Sequence, residues 1–111
     1  MTTHNFDFHL QELQERAIGK LIAAETFDKR AFDALKAYLC EKAELIKAEH
    51  VVSKQVISCL LSAAQTIESR AEYIPEARAN LAMASEFSML LELIAIGESC
   101  NDRRPGIPRV S

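Results

Sequence analysis

The side chains able to do chemistry in this 111-residue chain are few and widely spaced. Its histidines are His4, His9 and His50, and its cysteines are Cys40, Cys59 and Cys100. His4 and His9 lie too far apart in phase to share one helical face, which needs a spacing of three or four. No Cys-x-x-Cys or mixed Cys/His ligand spacing occurs, so neither a zinc ribbon nor a redox dithiol is expected. A di-iron helical centre would need Glu-x-x-His on two helices, and that tetrapeptide is absent. The Arg-then-His pattern of HEPN-type ribonucleases is also missing, because no Arg closely precedes His50. Ser58, Cys59 and Ser62 fall on a predicted helix without the glycine-bounded elbow that exposes a nucleophile. No Walker A or GxGxxG stretch is present to cradle a nucleotide. Cys40 and Cys59 stand beside apolar stripes and are expected to behave as small hydrophobes. The sequence therefore assigns no catalytic residue, no cofactor-binding residue, no metal ligand and no cofactor.

The composition narrows the class further. Thirteen Lys and Arg against sixteen Asp and Glu leave a formal charge of −3, while 49% of residues are hydrophobic. That is the balance of one globular domain rather than a disordered segment. An acidic chain is poorly suited to nucleic acid, whose phosphates require clustered Lys and Arg. Leu81 to Ile96 is apolar but is interrupted by Glu86 and Glu92 and is short for a bilayer, so no membrane span is expected. An odd number of cysteines and an N-terminus without a basic and then apolar leader point to a reducing, cytoplasmic setting.

The elements that would position any site are helices. Apolar spacing predicts helices over about 6–24, 28–49, 54–72 and 75–96. In the first, Asn5 is the expected N-cap, and Phe6, Leu10, Leu13, Ala17 and Leu21 form the buried stripe. In the second, Asp28 caps, with Phe27 and Phe32 placed as a hydrophobic staple ahead of Leu35, Leu39, Ala43 and Ile46. Ser53 caps the third, whose expected stripe is Ile57, Leu60, Leu61, Ala64 and Ile67. Pro75 suits the first position of the fourth, and Gly97 suits the residue just past its end. Short connections favour antiparallel neighbours, so the expected fold is an all-α, four-helix up-down bundle over residues 1–97. An extended Pro/Gly/Arg-containing tail, 98–111, follows it.

From Phe87 to Ile96 only Ser88 and Glu92 are polar, which is more apolar surface than one neighbouring helix can cover. The expectation is a homodimer meeting through Phe87, Leu90, Leu91 and Ile94. Arg103, Arg104, Ile107 and Arg109 are the candidate docking residues of the tail. The function expected is that of a non-catalytic protein-interaction module, a small regulator, adaptor or inhibitor binding a protein partner. One specific version is a phage- or mobile-element-encoded inhibitor of a host defence or nucleic-acid-processing complex. The alternatives are a nucleic-acid-associated regulator using the arginine tail, and a small enzyme or metal protein whose site forms between subunits.

Overall fold

The computed structural model describes residues 6–100, which form an all-α fold with no strand among them. The first rod consists of α1 (Phe8–Gln14), a π-helical turn (Glu15–Gly19) and α2 (Lys20–Ala24). Its N-cap is Asp7, whose Oδ1 accepts a hydrogen bond from the Leu10 N–H at 3.0 Å. Asn5, the expected cap, lies outside the described residues. Phe6 precedes the helix and is 44% exposed instead of joining the buried stripe. A π turn takes one more residue per turn than an α turn. That added residue lets Ala17 and Ile18 both face inward with Leu10, Leu13 and Leu21, which a 3.6-residue period does not anticipate. The rod stops at Glu25, which adopts the left-handed conformation with φ 54°.

Helix α3 (Lys29–Ile46) starts where expected, with the Asp28 carboxylate accepting from the Ala31 N–H at 3.1 Å. Phe27 stacks on Phe32 at 4.8 Å, completing the staple. Helix α4 (Lys54–Arg70) is capped by Ser53, whose Oγ accepts from the Gln55 N–H. Its buried face is turned relative to the expected one. Val56, Cys59, Leu60, Ala63, Ala64 and Ile67 point inward, while Leu61 is exposed. The run from Val56 to Ala64 offers two neighbouring apolar arcs, and packing selected one of them.

The expected last helix is two helices, α5 (Pro75–Ala79) and α6 (Leu81–Ala95). Pro75 opens α5 as anticipated. The interruption is Asn80, whose Nδ2 donates to the Glu76 carbonyl at 2.8 Å. Asparagine competes for backbone partners in this way and so breaks helices. Beyond α6 the Gly97 N–H donates to the Ile94 carbonyl and the Glu98 N–H to the Leu93 carbonyl, the paired bonds of a Schellman motif. Gly97 has φ 78°, which favours a residue without a Cβ.

Helix α6 lies along α4, the first rod lies against α3, α2 reaches α4, and α3 touches α6. Phe32 of α3 meets Phe87 of α6 edge to face at 6.3 Å in the centre of this packing. Arg78 closes the end of α4, donating from Nε to the Ala71 carbonyl and from a terminal nitrogen to the Glu72 carbonyl. Those carbonyls have no partner within the helix, and a cation there also suits its dipole.

Candidate functional site

Among the described residues, three places bring chemistry-bearing side chains together. At the first, the Asp7 Oδ2 accepts from the Tyr38 hydroxyl at 2.5 Å and from Lys42 Nζ at 2.7 Å. Tyr38 and Lys42 are four apart on α3 and therefore share a face. Gln55 adds a two-way bond, accepting from the Asp7 N–H and donating to the Asp7 carbonyl, each at 2.8 Å. Burial pushes the Asp7 carboxyl up, but Lys42, Tyr38 and the Leu10 N–H outweigh it and hold the group well below the usual carboxylate range. The same bond to Asp7, with burial, pushes the Tyr38 phenol up to about 12. Asp7 and Tyr38 are thereby stabilised in the states that serve the hydrogen bonds, carboxylate and neutral phenol. The cluster ties the start of the first rod to α3 and α4.

The second place is a clasp on the C-terminal half of α3. Cys40 and Cys100 form a disulfide with their Cα atoms 5.6 Å apart. The Ser99 hydroxyl, fully buried, donates to Glu44 Oε2, and Lys47 Nζ lies 3.0 Å from Glu44 Oε1. This corrects two expectations. Cys40 is a bonded cysteine and not a free hydrophobe, and Ser99 and Cys100, expected in an extended tail, are held on α3. The inference to a reducing compartment assumed unpaired thiols, and only Cys59 is free. Burial pushes the Cys59 thiol up to about 12, which removes it as a nucleophile at neutral pH.

The third is an open groove of about 500 Å³ lined by Leu13, Arg16, Lys20, Asp28, Arg30, Ala31 and Ala34. Lys20 pairs with Asp28 at 3.3 Å and Arg16 with Glu12 at 3.2 Å, so acidic partners offset much of its positive charge. Among the described residues no group of three or more His, Cys, Asp or Glu could hold a metal ion. Nor is any helix there long and apolar enough to cross a membrane.

The residues expected at a dimer interface sit elsewhere. Phe87, Leu90 and Ile94 are buried within the single chain, and Leu91 is half-buried against its core. The side of α6 expected to meet a second copy is the side that meets the rest of this chain. The reason is that α4 and α3 together cover the arc that one neighbour could not. Arg103, Arg104, Ile107 and Arg109 lie outside the described residues.

What α6 leaves in solvent is a different arc. Leu81 (41% exposed), Met89 (45%) and Ile96 (63%) share it with Ser85, Ser88 and Glu92, flanked by Ala82 and Ala95. Glu86, at one margin, pairs with Lys36 of α3 at 2.7 Å. Glu92 is thus the one charge on the arc. A solvated helix face is ordinarily charged, as the outer side of α3 is with Lys29, Arg30, Asp33 and Glu41. The apolar residues that α6 leaves in solvent are therefore not the Phe87, Leu90, Leu91 and Ile94 of the expected interface.

No family model matches the chain, and no curated protein and no solved structure matches it either.

Proposed function

We propose that this chain is a non-catalytic helical interaction module, a small regulator, adaptor or inhibitor that works by occupying a protein partner. The observation that carries the reading is the outer arc of α6, where Leu81, Met89 and Ile96 stand in solvent around a single carboxylate. A helix face that carries three large apolar side chains and one charge is poorly suited to solvent and well suited to cover by a protein. The polar clusters support the same reading, since the bonds of Asp7, Tyr38, Lys42 and Gln55 join one helix to another and that of Ser99 holds the segment beyond α6 to α3.

A photo-crosslinking residue in place of Met89 tests it in cells expressing the chain. Illumination is expected to give covalent protein adducts at this position. The same residue at Lys29, on the charged side of α3, is expected to give none. Absence of adducts at position 89 overturns the reading.

A further inference from the structure

The outer arc of α6 has an internal symmetry. Taking the midpoint between Ser88 and Met89 as centre, Ser85 and Glu92 are equally distant from it, and so are Leu81 and Ile96. At 100° per residue Ser85 and Glu92 also lie within about 20° of each other around the helix, near the middle of the arc. Resting on the interaction-module reading, we infer that the occupant of this face is a second copy of the chain, packed antiparallel about a two-fold axis at that midpoint. This arrangement sets Ser85 of one copy against Glu92 of the other, twice. A hydroxyl that can donate then meets a carboxylate that can accept. Leu81 of each copy covers the end of the arc carrying Ile96 of the other, and the two Met89 side chains meet at the centre.

Charge selects this pairing over its rival. A parallel pairing places Glu92 directly against Glu92, which is repulsive, and no Lys or Arg on the arc relieves it. The antiparallel pairing separates the two carboxylates and gives each a donor. Ala82, Ser85, Ser88 and Ala95 are small, so the two backbones can approach closely. The arc from Leu81 to Ile96 is about 22 Å long, so one helix pair buries an area at the small end of specific interfaces. The dimer is therefore reversible and not the obligate one that a seam of Phe87, Leu90 and Ile94 would form.

Light scattering over about a hundredfold range of concentration reads the proposal directly. The mass is expected to rise from 12.4 kDa towards twice that value. Ser85→Glu puts like charges in contact at both symmetric positions and is expected to weaken association by about fivefold or more. Glu92→Lys added to Ser85→Glu turns both contacts into ion pairs and is expected to restore it. Ser85 is exposed, so far-ultraviolet circular dichroism of the variants should match the native chain. A parallel dimer would instead stay weakened in the double variant, which keeps two like-charge contacts, one Glu–Glu and one Lys–Lys. A constant 12.4 kDa, indifference to Ser85→Glu, or failure of the double variant to recover each overturns the proposal. A constant monomer whose position-89 crosslinker still captures a different protein overturns the second copy and leaves the interaction module standing. No adduct of any kind removes both.

Discussion

The side-chain amide of Gln55 grips the backbone of Asp7 from both directions, accepting its N–H and donating to its carbonyl, each at 2.8 Å. The two residues are 48 positions apart, yet the contact has the form of a strand ladder, with a side chain standing in for the second backbone. It fixes Asp7 at the head of the first rod, where the Asp7 carboxylate then caps Leu10 and receives Tyr38 and Lys42. One aspartate thus joins three helices, and the α3 clasp at Cys40 and Glu44 does the same for the chain beyond α6.

Asp7→Asn is expected to destabilise the fold by about 1–3 kcal/mol at neutral pH, from the lost charge-assisted bonds to Lys42 and Tyr38. The sign with pH follows from the lowered carboxyl. The unfolded chain takes up a proton near the ordinary aspartate value, about 4, before the folded chain does. The native stability should be fully present above that value and fall progressively below it. Urea melts from pH 7 down to about 2 should show a steeper acid limb for the native chain than for Asp7→Asn. Parallel acid limbs would refute the assignment.

Thiol titration reads the cysteines. The folded chain should show almost no reactive thiol, and the denatured unreduced chain only that of Cys59. Reduction should then expose Cys40 and Cys100 as well. Closing a loop of this length constrains the unfolded state, so Cys40→Ala/Cys100→Ala should cost about 2–4 kcal/mol in a denaturant melt. Three reactive thiols in the unreduced denatured chain would contradict the pairing.

Glu25 ends α2 in the left-handed region, which an L side chain enters at a cost and glycine does not. Glu25→Gly is expected to raise stability by about 0.5–1 kcal/mol, visible as a higher denaturant midpoint at unchanged slope. A lower midpoint would show that the Glu25 side chain contributes more than its backbone conformation costs.

Features that depend on a few consecutive residues were legible beforehand. Asp28, Ser53, Pro75 and Gly97 occupy the ends of helices they were expected to occupy, because capping is decided within one turn. The stacking of Phe27 on Phe32 belongs to the same class. Local competition also misled, since the Asn80 amide could bond to the Glu76 carbonyl or leave the helix intact, and periodicity alone does not choose.

By itself, then, the sequence determined that the fold is all-α, roughly where α1, α3, α4 and α5 start, and that the segment forming α6 is too apolar for solvent on every side. Tertiary structure decided which arc of α6 is covered, which of two adjacent arcs α4 buries, and that Ala17 and Ile18 both turn inward through a π turn. It also decided that Cys40 meets Cys100, and that Asp7 meets Tyr38, Lys42 and Gln55. The physical reason is common to all of these. A helical period specifies a stripe along one element, whereas a contact between residues 31 to 60 positions apart exists only once the helices have chosen their neighbours.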